Sequence, residues 1–126
     1  MQIDLEALTA RDRYKLLCGV VIPRPIAWVT TISADGVVNV APFSFFNLFG
    51  ADPATVILGL EHYADGTPKD TTRNIDEAGE YTINILTPDL NDMMVATAAQ
   101  YSADISEAAA LGLVLCPSAK VAPPRL

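Results

Sequence analysis

The chain has 126 residues, 51% of them hydrophobic and 18% charged, which excludes a disordered polymer and allows one domain with its own core. A formal charge of −7 excludes the broad basic surface that non-specific nucleic-acid or anionic-membrane binding needs, so an anionic ligand would require a local positive site. No run approaches the ~20 apolar residues that span a bilayer, and residues 1–15 carry acidic groups without the apolar centre of a signal peptide. Cys18 and Cys116 are too few and too far apart for a disulfide scaffold or a metal cluster, so the expectation is a cytoplasmic protein with buried free thiols.

Thr9 is placed to cap a helix over residues 10–18, with Asp12 in its first turn and Gly19 just past its end. Ile22-Pro23-Arg24-Pro25 then requires extended backbone, because proline disfavours helix in the residue before it. Ile26–Ser33, rich in β-branched residues, predicts a strand. Asp35-Gly36 turns the chain, and Val37–Phe43 returns as the partner strand. Asp52-Pro53 marks another turn, followed by a strand over Thr55–Leu60. Residues 61–70 form a loop broken by Gly66 and Pro68. Asp70 or Thr71 is expected to cap a short helix that Gly79 stops. Tyr81, Ile83 and Ile85 alternate with Thr82 and Asn84, which predicts a strand with one half-polar face. Thr87-Pro88 opens a helix whose Leu90, Met93, Met94 and Ala98 read as core packing. A short helix over Ser106–Ala110 ends near Gly112, and Val114–Cys116 is expected to begin a strand. Ala122-Pro123-Pro124-Arg125 reads as a connector. An early hairpin with short helical excursions argues against alternating βαβ units and for an antiparallel sheet closing into a barrel.

Two stretches gather groups that can carry chemistry. Thr67–Asn74 (TPKDTTRN) collects Lys69 and Arg73, three threonine hydroxyls and an amide around a predicted helix start. Unpaired N–H groups and the helix dipole make such a terminus receptive to phosphate, although the same pattern describes an ordinary solvated helix start. It lacks the glycine spacing of a P-loop. The second stretch is Ala41–Gly50 (APFSFFNLFG), which holds all four phenylalanines of the chain together with Ser44 and Asn47. If Trp28–Ser33 pairs with it, Thr30 and Thr31 are expected near the Ser44 side chain. Apolar walls with edge-directed polar groups suit a flat heteroaromatic ligand; a phenylalanine-rich core in which Ser44 and Asn47 satisfy backbone groups is the other reading. His62 is the only histidine, and no nucleophile or metal-site motif is present. No side chain is therefore assigned as catalytic, and redox or transfer chemistry would fall to a cofactor.

In order and spacing, Gly19–Pro25 (GVVIPRP), Ile26–Ser33 with Asp35-Gly36, Ala41–Asn47 (APFSFFN), Asp52-Pro53, Lys69-Asp70-Thr71 with Asn74-Ile75, and Gly79–Asn84 (GEYTIN) resemble the flavin reductase-like family of FMN-binding split-barrel proteins. That family includes flavoredoxin-type proteins and the reductase components of two-component monooxygenases. The resemblance runs from about Leu16 to Leu126. It implies a mainly β fold, an antiparallel Greek-key split barrel, in a homodimer that binds FMN non-covalently near the subunit interface.

The resemblance further implies NADH or NADPH as co-substrate and a monooxygenase or other electron acceptor as partner. It sets Thr30, Thr31 and the segment Pro42, Phe43, Ser44, Phe45, Phe46 and Asn47 around the flavin, and Lys69, Thr71 and Asn74 around its phosphate. Arg24 is a further candidate for ligand or dimer contact. Ala99-Gln100-Tyr101-Ser102 aligns with a family segment that approaches the site, with Gln100 and Ser102 in place of the usual prolines. Relatives continue past the PPR motif with further strands, so the 126 residues are expected to form a single, C-terminally truncated flavin reductase-like domain. Two alternatives stay open beside the reductase: a flavin-binding electron carrier without direct NAD(P)H activity, and a flavin-free split-barrel binding or assembly module.

Overall fold

The computed structural model describes residues 2–126. Helix α1 (Ala10–Val20) starts as its residues dictate, with the Thr9 hydroxyl accepting from Asp12 N at 3.1 Å and donating to the Asp12 carboxylate at 2.8 Å. Gly19 does not end it. The helix runs on to Val20, and Arg24 Nη1 donates to the carbonyls of Cys18 and Val21 at 2.7 and 2.9 Å. A guanidinium on the carbonyls of the last turn does the work that a left-handed glycine would otherwise do.

Strands β1 (Ala27–Ile32) and β2 (Val38–Phe43) form the expected hairpin, closed by a turn in which Gly36 has φ 82°. Strand β5 (Thr82–Asn84) pairs with the other edge of β1, giving an antiparallel sheet in the order β2-β1-β5. Residues 27–31 of β1 are buried without alternation because both faces of the sheet are covered. On one face Trp28 and Val40 pack with Met94 of α3 (Asn91–Ala96) and Ala108 of α4 (Glu107–Ala110). On the other face Thr31 and Asn39, directly opposite one another, meet α2 (Asp70–Ala78).

Two further elements differ from the sequence expectation, and one strand lies where no element was assigned. Phe46–Ala51 forms strand β3, which turns at Asp52-Pro53 and pairs with β4 (Ala54–Leu58) in a separate two-stranded sheet, with a register irregularity between Leu48 and Gly50. Helix α2 begins at Asp70, so Asp70 lies inside the helix and Lys69 occupies the cap position without a side-chain cap bond. Gly79 ends α2 in the left-handed conformation (φ 69°), as read. Val114–Cys116 makes a single bridge, Cys116 to Arg125, and no strand.

The proline-rich end is not a free connector. Pro123 is fully buried, its carbonyl accepts from Thr82 Oγ1 at 2.8 Å and Ser118 Oγ at 2.6 Å, and Leu126 N donates to Asn84 Oδ1 at 2.8 Å. The tail is thus anchored to two side chains of β5, Thr82 and Asn84. Pro88–Leu90 forms a 3-10 turn leading into α3, and Ser106 caps α4 by accepting from Ala109 N. The architecture is mainly β with short helices, the split-barrel class, and among the described residues the two sheets do not close into a barrel. Both cysteines are free, and they are half-buried rather than buried.

Candidate functional site

Strand β2 is the outer strand of its sheet, and its free edge borders a cavity of about 460 Å³. Val40 N–H points outward from that edge, where Glu107 Oε2 accepts it at 2.9 Å. Pro42, two residues on and so facing the same way, has no N–H to leave unpaired. The edge is therefore closed to further strand pairing and open to a ligand.

The cavity is assembled from elements distant in sequence. Pro42, Phe43, Ser44 and Phe45 form one wall as β2 ends, and the N-terminus of α2, Lys69 to Thr71, forms another. The segment Thr97–Tyr101 after α3 and Glu107 of α4 border it further, and Tyr14 reaches in from α1. Tyr14 and Phe45 pack with ring centroids 5.9 Å apart at 44°, an aromatic corner. The neighbouring Cys18 thiol pushes the Tyr14 phenol above its usual range. Gly59 lies under Phe45: a Cβ there would meet Phe45 Cβ at 2.8 Å, so only glycine lets the chain pass behind the ring.

The residues singled out from sequence divide into three groups. Pro42, Phe43, Ser44, Phe45, Lys69 and Thr71 come together around this cavity. Phe46 and Asn47 do not; they border a separate, mostly apolar groove between α1 and β4, and Asn47 Oδ1 accepts from Leu48 N at 2.8 Å. Ser44 and Phe45 border both spaces. Thr30, Thr31 and Asn74 are fully buried behind the cavity. The hairpin register sets Thr30 opposite Val40 and Thr31 opposite Asn39, four and five residues before Ser44, so neither threonine lies near the Ser44 side chain. Thr31 Oγ1 accepts from Asn74 Nδ2 at 3.0 Å, tying α2 to β1, and Thr30 Oγ1 accepts from Asn84 Nδ2 at 2.8 Å, tying β5 to β1. Asn74 Oδ1 is buried with no partner.

Arg24 is held by the protein itself: besides the α1 carbonyls, its Nε donates to Ser44 Oγ at 3.2 Å. Because Ser44 accepts from a cation there, its own proton is free to be donated elsewhere.

Other cavity residues were not singled out from the sequence. Asn39 donates to Thr71 Oγ1 at 2.8 Å and holds the first turn of α2 against β2. Its signal was a lone amide between two valines of a strand. Glu107 carried no such signal, since a glutamate after a serine cap reads as an ordinary first-turn acid. Only 6% of it is exposed, and burial pushes its carboxyl above the usual range, opposed by the Val40 N–H and reinforced by Asp70. Lys69 Nζ lies 3.9 Å from Glu61 Oε2 in an exposed pair, and Arg73 holds Asp70 at 2.6 Å. A loose exposed pair of this kind leaves Lys69 available to another anion.

These features fit a ligand with a flat ring and an anionic end. Aromatic and proline walls suit the ring, while Lys69, Thr71 and an α2 N-terminus without a side-chain cap suit the anion. Glu61 and Glu107 in the same lining oppose it.

The flavin reductase like domain model matches residues 20–126. An uncharacterized protein of Halalkalibacterium halodurans is 39% identical over the full chain, which covers 60% of that protein. An uncharacterized protein of Deinococcus radiodurans is 41% identical, with 98% of this chain and 56% of that protein covered. Among solved structures, nitrilotriacetate monooxygenase component B from Bacillus cereus superposes with a TM-score of 0.92 at 35% identity, covering 98% of this chain and 61% of that one. The 2-nitrobenzoate 2-nitroreductase of Pseudomonas fluorescens gives 0.85 at 36%, covering 99% and 59%. The chain thus spans about three-fifths of the length of these relatives. A match over residues 20–126, with the same fold in those structures, establishes that the chain belongs to the flavin reductase-like family.

Proposed function

We propose that the cavity beside β2 binds FMN and that the chain serves NAD(P)H-dependent reduction of flavin. The observation that carries this reading is the meeting, in one cavity, of the Pro42–Phe45 wall and the α2 N-terminus with Lys69 and Thr71. A flavin held there would supply the redox chemistry, with reduced nicotinamide as the hydride donor. Phe43, Phe45 and Pro42 give the ring apolar surface and exclude water from it, and the Ser44 hydroxyl offers a donor. Lys69 and the amides that open α2 hold the phosphate, with Thr71 kept in place by Asn39. Thr30, Thr31 and Asn74 act from behind, fixing the strand and helix that carry these groups. Asn74 Oδ1, without a partner, leaves a buried acceptor on the same helix. Phe46 and Asn47 border the neighbouring groove instead.

The exposed apolar side chains Val20, Val21 and Ile22 at the end of α1, with Leu48 and Phe49 of β3, support a homodimer through these side chains. A monooxygenase component among the solved relatives supports a separate monooxygenase as the acceptor of reduced flavin. No helix among the described residues is long and apolar enough to cross a membrane, and a cytoplasmic location suits a redox partner of nicotinamides.

The phosphate assignment is tested by Lys69→Ala. Loss of a charge-assisted contact is expected to weaken FMN on the order of tenfold while riboflavin, which lacks the phosphate, is held as before. Equal losses for the two ligands in fluorescence-quenching titrations refute the assignment. Anaerobic addition of NADH or NADPH to the flavin-loaded chain should bleach the flavin band; absence of bleaching removes the reductase reading and leaves a carrier.

A further inference from the structure

Glu107 is the one cavity-lining acid that is both buried and without a cation beside it. Its Oε2 is engaged by Val40 N–H at 2.9 Å, and 6% of the residue is exposed. Its place in the cavity is the α2 end: Val40 follows Asn39, Asn39 holds Thr71, and Asp70 is near enough to act on the Glu107 carboxyl electrostatically. The flavin reading puts the phosphate at that same end. Three carboxylates, of Glu61, Asp70 and Glu107, and an incoming phosphate therefore share a region in which Lys69 is the lining cation.

We propose that Glu107 sets the discrimination of this cavity between charged and uncharged flavins. Ionised, it opposes negative charge at the start of α2; protonated, it removes that opposition and offers an O–H donor in its place. The inference rests on the flavin reading of the cavity. The groups facing this end are Asp70, itself held by Arg73, and Lys69, paired loosely with Glu61; β2 contributes no charged side chain. Asp70 is paired with Arg73 and Lys69 with Glu61, so the Glu107 carboxyl, with Val40 N–H as its partner and no cation beside it, is the one left uncompensated at this end. A unit charge in a partly desolvated cavity alters anion affinity on the order of tenfold.

The test compares FMN, riboflavin and a riboflavin sulfate ester, whose charge does not titrate, in fluorescence-quenching titrations at several pH values. Glu107→Gln keeps an oxygen for Val40 N–H and removes the charge. At pH 8 it is expected to raise the FMN-to-riboflavin affinity ratio about tenfold, with riboflavin itself nearly unchanged. In the wild-type chain the sulfate-to-riboflavin ratio should fall by a similar factor as pH rises through the carboxyl's titration, and in Glu107→Gln it should stay level. This second comparison needs no substitution, so poor folding of the variant does not protect the idea. A sulfate-to-riboflavin ratio that is level with pH in the wild type, or an FMN ratio identical in both proteins, overturns the role of Glu107. Failure of the wild-type chain to bind either FMN or riboflavin removes the flavin reading and this inference with it.

Discussion

Thr97 joins the core to the cavity, and its replacement by valine removes a single oxygen that takes part in two hydrogen bonds. Trp28 Nε1 donates to Thr97 Oγ1 at 2.9 Å, and Thr97 Oγ1 donates in turn to the Met94 carbonyl at 2.7 Å. Trp28 is 1% exposed and Thr97 2%, so no water can substitute for the lost hydroxyl. Valine keeps the volume and removes the oxygen, which leaves a buried indole N–H without an acceptor. Such an orphan costs roughly 1–3 kcal/mol, and about 2 kcal/mol is expected here because packing is retained. In a domain of this size that lowers Tm by on the order of 8 °C. Thr97→Ser retains the hydroxyl and gives up one methyl, for about 0.8 kcal/mol. Urea unfolding followed by far-UV circular dichroism measures both, and Trp28, the single tryptophan, reports the same site by its emission. Thr97→Val within ~0.5 kcal/mol of wild type, below the range expected for an unmade buried hydrogen bond, refutes the reasoning, as does a serine variant that loses as much as the valine one.

Gly59→Ala drives a methyl to 2.8 Å from Phe45 Cβ and to 3.3 Å from the Phe45 carbonyl. It should destabilise the chain by roughly 1–3 kcal/mol and weaken riboflavin binding, because Phe45 is a wall of the cavity; unchanged affinity contradicts the placement of that wall. Gly79→Ala forces a left-handed residue (φ 69°) at the end of α2 and is expected to cost about 1–2 kcal/mol by thermal unfolding, with flavin affinity retained. Glu107 makes a signed pH prediction. Its carboxyl is raised in the folded chain by burial, so its contribution is most favourable below the ordinary glutamate pKa and is lost as pH rises through the raised value. Glu107→Gln should therefore gain in relative stability between pH 4 and pH 8, and a stability difference independent of pH contradicts an ionisable buried carboxyl.

The hairpin was legible because its information is local. β-Branched runs on either side of Asp35-Gly36 prescribe two strands and a turn, and Gly79 stops a helix because only glycine adopts its backbone cheaply. Strand β3 was not legible. Phe46–Ala51 has no alternation of burial to betray it, and its extended state is set by pairing with Ala54–Leu58 across an irregular register. Gly19 misled for a related reason: the end of α1 is decided by Arg24, five residues later, which takes its free carbonyls. The proline-rich tail was read as a connector because the acceptors and donors that hold it, on Thr82, Asn84 and Ser118, are contributed mainly by a strand some forty residues earlier.

The sequence by itself determined the class of the protein, the strands around Asp35-Gly36, and the two segments that meet at the cavity, APFSF and KDT. Residue type and order suffice there, because aromatic walls, a helix start and a lysine have the same chemistry wherever they are placed. Tertiary structure alone decided which of the named residues face that space. Ser44 and Phe45 border it, Asn47 turns to the neighbouring groove, and Thr30, Thr31 and Asn74 stand behind it. It also brought in Glu107, more than sixty residues from the strand whose edge it closes. A strand alternates its side chains, so a shift of one position reverses which group meets a ligand. That register is set by the partner strand and the helices on either face, none of which a short motif contains.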